Sequence, residues 1–172
     1  MHNLFTRSRV IGLAIAAVIF VVDQAIKWYL LGPLKLRLQP EGKIDLLPFF
    51  DLRYTENLGI SLGLLQATSQ EMRWVLVALT ALIALVVLVW MFRERLMGEI
   101  FGLSLILGGA LGNIVDRSML GYVVDYADFH IGTFRPFLIF NLADAAITIG
   151  VVIILARSIF VRDDALYADT PA

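Results

Sequence analysis

The chain has 172 residues, 59% of them hydrophobic, with a mean hydropathy of +0.82, well above the roughly half-apolar make-up of a soluble domain. It has no cysteine, which excludes disulfides, a Cys nucleophile and Cys metal sites, and its two histidines, His2 and His130, sit in no HExxH pattern, which argues against a zinc peptidase. A net charge of -1 gives no overall field to attract nucleic acid, and the composition points to a small integral membrane protein with a single domain, 1–172.

The first predicted element follows a short polar start with Arg7 and Arg9. Val10 to Val22 is free of charge and resembles the apolar core of a secretory signal peptide. The run continues through Asp23 and Lys27 to Leu31 without a convincing cleavage site, however, and 10–31 is about the ~20 residues a spanning helix needs. Trp28 and Tyr29 suit an interfacial aromatic belt, and Gly32-Pro33 ends the helix.

The segment 32–73 is wetter. Lys35, Arg37, Lys43, Arg53 and Arg73 balance Glu41, Asp45, Asp51, Glu56 and Glu71. Two stretches alternate with period two, Lys35 to Gln39 and Phe50 to Thr55, and each predicts a half-buried strand. Asn57-Leu58-Gly59 predicts a turn. The expectation is a small extramembrane sheet resting on the bilayer.

Residues 74–92 form a second apolar span, 93–99 a tight charged loop, and 100–117 a third span. Gly108-Gly109-Ala110-Leu111-Gly112 permits close helix approach. A second outer segment runs over 118–135. Pro136 suits the first turn of a helix, so the fourth span is expected over 136–156, with a disordered tail over about 162–172. Four spans put both termini on one side. Arg93 and Arg95 in the short loop make that side cytoplasmic and the two longer segments outer, hence periplasmic.

The chemistry lies in the polar residues that interrupt these spans. Asp23 and Lys27 are four apart and share a helix face. The preferred reading is a neutralising pair with Lys27 snorkelling. A sharper one makes Lys27 the base for Ser61 or Ser104, but nothing singles out either serine. Asn113, Asp116 and Arg117 form a polar stripe that holds the bundle together and steadies the acids around it. Asn141 and Asp144 share a face of the fourth helix, with Asp144 expected ~12 Å below Pro136. That span offers Asp144 no basic partner, and intramembrane acids mark function. Asp125, after Val123-Val124, is expected at the membrane edge. Two acids meeting there suggest a carboxylate pair that hydrolyses a peptide bond. A proton relay in a transporter or channel subunit competes with this, as does a non-catalytic scaffold with buried ion pairs. Asp128 and His130 read as solvated loop residues.

Taken together, these motifs resemble those of signal peptidase II, the bacterial lipoprotein signal peptidase. They stand as Asp23-Gln24-x-x-Lys27, Asn57-x-Gly59, Gly112-Asn113-x-x-Asp116-Arg117, Val123-Val124-Asp125 and Phe140-Asn141-x-Ala143-Asp144. The resemblance runs nearly end to end. It implies a membrane aspartic peptidase with Asp125 and Asp144 as its catalytic dyad and with no metal or other cofactor. Asn57, Asn113, Arg117 and Asn141 then support the dyad or touch substrate, and Asp23, Lys27, Gly59 and Asp116 join that supporting set. The implied substrate is a prolipoprotein bearing diacylglycerol on its lipobox cysteine, cut on the amino side of that cysteine. Membrane lipid is expected around the chain, a monomer could house the whole site, and the orientation set by the Arg93 loop puts the active site towards the periplasmic face of an inner membrane. Where the family often continues Ala-Phe-Ser after Asn57-x-Gly59, this chain has Ser61-Leu62-Gly63. The departure hints at a Gram-negative source and bears on the local contacts of this loop, not on the chemistry.

Overall fold

The computed structural model describes residues 6–59 and 69–160. Within them the chain is mainly α-helical, with four helices long and apolar enough to cross a membrane and one small antiparallel sheet. Ser61 and the expected disordered tail lie outside the described residues.

Helix α1 spans Arg7–Leu31. It stops where expected: the Gly32 N–H closes the last turn on the Trp28 carbonyl at 2.9 Å, and Pro33 cannot continue it. Helices α2 (Gln70–Arg93) and α3 (Met97–Met119) form a hairpin around the short Arg93–Leu96 connection. The Ser69 hydroxyl caps α2 by accepting from the Met72 N–H at 3.2 Å. Helix α3 is central. It touches α1, α2 and α4, and its buried residues run from Ile100 to Arg117. Its small residues allow this: a Cβ on Gly108 would meet the Ala16 carbonyl oxygen of α1 at 2.6 Å. The outer helices expose apolar faces, such as Val18, Val21 and Val22 on α1 and Val152, Leu155 and Ile159 on α4, as a lipid-facing surface requires.

The sheet has the order β1-β2-β3, with β1 Lys43–Leu47, β2 Phe50–Asn57 and β3 Val123–Phe129. Strand β2 covers the alternating Phe50 to Thr55 stretch. The other alternating stretch, Lys35 to Gln39, is not a strand. It forms a 3₁₀ turn over Leu36–Leu38, entered through Lys35 at φ 50. Its N–H groups are used locally, Leu38 on the Lys35 carbonyl at 2.8 Å and Gln39 on the Leu36 carbonyl at 3.2 Å. Only Leu36 finds an apolar site, against Leu30, Tyr126 and Ala127, while Leu38 is 77% exposed. Packing of one leucine outweighed the two-residue period.

Strand β3 was not evident from its sequence, because Val123 to Asp128 are all buried and no in-out alternation marks it. The fourth helix also differs from expectation. Helix α4 spans Leu142–Phe160 and does not begin at Pro136. Phe140 bridges Ala127 as a short addition to the sheet, its N–H on the Ala127 carbonyl at 3.2 Å and its own carbonyl accepting from Ala127 at 2.8 Å. A backbone committed to that bridge cannot be helical, so the helix starts two residues later. Asp144 therefore lies in the first turn of α4, at its mouth and not ~12 Å down its axis.

Candidate active site

Four elements converge where β3 meets the first turn of α4. Strand β3 carries Asp125, α4 carries Asp144, the last turns of α3 carry Asn113, Asp116 and Arg117, and the end of β2 carries Asn57.

Asn141 and Asp144 form a reciprocal cap at the start of α4. The Asn141 side-chain oxygen accepts from the Asp144 N–H at 2.9 Å, and Asp144 Oδ2 accepts from the Asn141 N–H at 3.4 Å. This is the capping-box exchange of two otherwise orphaned helix donors. It also fixes the Asp144 carboxylate. The same Asn141 donates through Nδ2 to Asp125 Oδ1 at 2.7 Å, so one side chain links the two acids. Asn113 donates to Asp144 Oδ1 at 2.8 Å, and Asn57 donates to Asp125 Oδ2 at 3.0 Å. The Asn57 oxygen accepts from the Gly59 N–H at 3.1 Å, and the Arg117 guanidinium holds the Gly59 carbonyl at 2.8 Å. Three asparagines and one arginine thus fasten both acids to β2, α3 and α4.

Asp125 is 2% exposed while Asp144 is half-buried, so the pair has one closed and one open end. Burial pushes the Asp125 carboxyl up to about 7. The charge of Asp144 pushes the same way, and hydrogen bonds from Asn57 and Asn141 together with the charge of Lys27 oppose it. A carboxyl protonated near neutral pH beside a second carboxyl is the arrangement needed to donate one proton and accept another.

Behind the two acids lies a buried ionic cluster. Lys27 Nζ is 2.8 Å from Asp23 and 2.8 Å from Asp116. The expected Asp23–Lys27 pair is present, but with a third member from α3. Gln24 also joins it, donating to Asp116 Oδ1 at 2.9 Å. Gly112 makes room: a Cβ there would meet Asp23 Oδ2 at 2.5 Å.

Two residues read from the sequence as solvated are not. Asp128 is fully buried, with Arg135 at 2.9 Å and Arg53 at 3.3 Å. It pairs across the sheet with Asp51, so its position in β3 gives it two arginines that sequence spacing could not reveal. His130 is half-buried, with Nε2 2.9 Å from Asp51. Ser104 is buried, donates to the Ile100 carbonyl at 2.5 Å, and lies about 18 Å along α3 from Asp116, the partner of Lys27. It cannot be the nucleophile for that lysine. No cluster of three or more His, Asp or Glu side chains disposed to hold a metal ion occurs among the described residues.

Sequence reasoning gave no role to Gln24, Tyr126 or Arg73. The Tyr126 hydroxyl accepts from the Leu142 N–H at 3.2 Å, a further cap on α4. Arg73 donates to the Arg117 carbonyl at 2.8 Å and to the Ser118 carbonyl, closing the C-terminal end of α3. A polar residue beside Asp23 in an apolar helix was the available signal for Gln24. Nothing marked the other two.

Comparison with known proteins bears on the family and the fold. The family model described as signal peptidase (SPase) II matches residues 15–160. The lipoprotein signal peptidase of Sphingopyxis alaskensis is 52% identical over 158 residues, covering 92% of this chain and 90% of the relative. That of Rhizorhabdus wittichii is 50% identical over 161 residues, covering 94% and 92%. Two solved bacterial membrane enzymes share the fold. One, determined by the in meso method at 2.3 Å, has a TM-score of 0.74 at 25% identity over 94% of both chains. The other, at 1.9 Å, has a TM-score of 0.71 at 28% identity over 99% of both. The proton-relay alternative finds no support among these relatives. With a family model spanning nearly the whole chain and close relatives of half-identical sequence, the chain belongs to the signal peptidase II family.

Proposed function

We propose that the chain is an aspartic endopeptidase that removes the signal peptide from diacylglyceryl-modified prolipoproteins, cutting on the amino side of the lipidated cysteine, with Asp125 and Asp144 as its dyad. The observation that carries this reading is the link through Asn141, which bonds both acids at the mouth of α4. Two close carboxylates cannot both ionise easily and hold one proton between them. The ionised member takes a proton from water, whose oxygen attacks the scissile carbonyl carbon. The protonated member donates to the carbonyl oxygen. The tetrahedral intermediate then collapses, the C–N bond breaks, and the departing amine takes up a proton. The pair titrates jointly, so neither acid is assigned one role. Asn57, Asn113, Arg117 and Asn141 hold the pair and its approach, and no metal or other cofactor takes part.

In this reading the sheet and the dyad face the periplasm, and both termini are cytoplasmic. Supporting it, Arg7, Arg93, Arg95 and Arg157 all lie at helix ends or in the short loop away from the sheet. A single chain contributes every residue of the site, which favours a monomer surrounded by lipid in the inner membrane. A prolipoprotein anchored by its acyl chains presents its scissile bond near that same surface. The test is incubation of the detergent-purified chain with a diacylated prolipoprotein, followed by mass analysis. A cut immediately before the modified cysteine is expected. Intact substrate, or flux across proteoliposomes without cleavage, would sink the proposal.

A further inference from the structure

We propose that Lys27 is a positioning residue that sets the spacing between the two dyad carboxylates, an inference that rests on the peptidase reading above. Its ammonium lies 2.8 Å from both Asp23 and Asp116. Each of those carboxylates also holds one backbone N–H. Asp116 Oδ2 accepts from the Val124 N–H at 3.1 Å, and Asp23 Oδ1 accepts from the Ala143 N–H at 3.1 Å. Val124 immediately precedes Asp125, and Ala143 immediately precedes Asp144. One ammonium therefore joins two carboxylates that each hold the backbone just before one dyad acid.

A neutralising pair on α1 would need only Asp23. The third member from α3 and the two backbone attachments are additional, and all three charged residues are at most 4% exposed. Lysine suits the task because its donors radiate from a single nitrogen and can meet two carboxylates at once. Gln24 runs a weaker parallel link, donating to Asp23 at 3.2 Å and Asp116 at 2.9 Å. Strand β3 and helix α4 come from distant parts of the chain, and this cluster joins them behind the dyad. The spacing it imposes governs how strongly the two acids share a proton.

The decisive variant is Asp23→Asn/Lys27→Met/Asp116→Asn. The amide oxygens can still accept the two N–H groups, and no buried charge is left unpaired, but the ionic bridge is gone. Rates are compared at matched amounts of folded protein. With substrate KM near wild type, kcat should fall about 10–100-fold, the scale of a small misplacement at a reacting centre, and the pH–rate profile should narrow as the acids uncouple. A second readout needs no substrate. The pH dependence of thermal unfolding in detergent reports the proton held by Asp125, which Asn57, Asn141, Asp144, Arg117 and Lys27 face. Loss of the Lys27 charge alone would raise that carboxyl and steepen the slope, so a shallower slope in the variant marks a weaker push from Asp144 as the two acids separate. A variant with wild-type kcat, or with an unchanged or steeper slope, overturns the proposal. So does a variant that fails to fold, since the cluster would then be a folding requirement and not a spacer. If the wild-type chain cuts no prolipoprotein, the peptidase reading fails, and the unfolding slope alone judges the clamp.

Discussion

At the scale of single residues, the proposed dyad makes the sharpest demand. Asp125→Asn and Asp144→Asn keep size and hydrogen bonding while removing the ionisable carboxyl. Each should leave the chain folded and remove nearly all turnover, because members of a unit that acts together are not lost singly at small cost. Initial cleavage rates check this. A rate within about tenfold of wild type, a loss of only ~1.4 kcal/mol of transition-state stabilisation, would mean the substituted acid is not catalytic. Asp125 also predicts a pH effect on stability. Its carboxyl is raised from 3.8 to about 7 on folding, so between those values the folded state keeps a proton that the unfolded state releases. That contribution is fully present below pH about 4 and is lost as pH rises towards about 7. Thermal unfolding should show this decline in wild type and a flatter profile in Asp125→Asn. Asp128→Asn should act differently from either. It strands Arg53 and Arg135 above a fully buried position, and both arginines keep partial access to water. Stability should fall by about 1–3 kcal/mol, short of the full cost of breaking a buried pair. The cleavage rate per folded molecule should stay near wild type, and a loss as complete as in Asp125→Asn would place Asp128 in the dyad instead.

At the scale of elements, the start of α4 matters most. Phe140 belongs to the sheet and Leu142 to the helix, so Asn141 is the junction between them. Asn141→Ala removes the helix cap, worth about 1 kcal/mol, together with the bond to Asp125. Unfolding should report the first loss and cleavage the second, with a rate between wild type and Asp144→Asn. An Asn141→Ala variant with lowered stability but a full rate would reduce that residue to a cap. Gly112 is the other pressure point, on α3. An alanine there would collide with Asp23 Oδ2, shifting a carboxylate that holds the start of α4. Gly112→Ala should therefore lower the cleavage rate more than an alanine placed at a lipid-facing position of the same helix.

At the scale of the whole molecule, the architecture is a central α3 flanked by three helices, with a sheet at one end beside Asp125 and Asp144. All chemistry in this reading comes from side chains. Full activity is expected in excess chelator, and activity that vanishes and returns only with a divalent ion would overturn the aspartyl mechanism. The rate should follow a bell-shaped pH dependence, as required of a pair that must hold one proton.

Much of this was legible in the sequence, and the reason is local. Twenty-residue apolar runs declare spanning helices by themselves, because lipid leaves the backbone no other solution. An acid inside such a run is costly enough to announce itself, so Asp23 and Asp144 stood out, Asp125 was marked by the apolar pair Val123-Val124 before it, and their motifs carried the family resemblance. What the sequence could not decide depended on partners distant in the chain. Lys35 to Gln39 alternates like a strand, yet Leu36 had one cavity to fill. Pro136 invites a helix, yet Phe140 is held by Ala127. Asp128 reads as wet until β2 and the 131–140 segment bring Arg53 and Arg135 to it. Lys27 has one partner in its own helix and gains its second, Asp116, only when α1 and α3 pack. Patterns of period and charge fix what each segment can become, whereas pairing between segments is chosen by the free energy of the assembled whole.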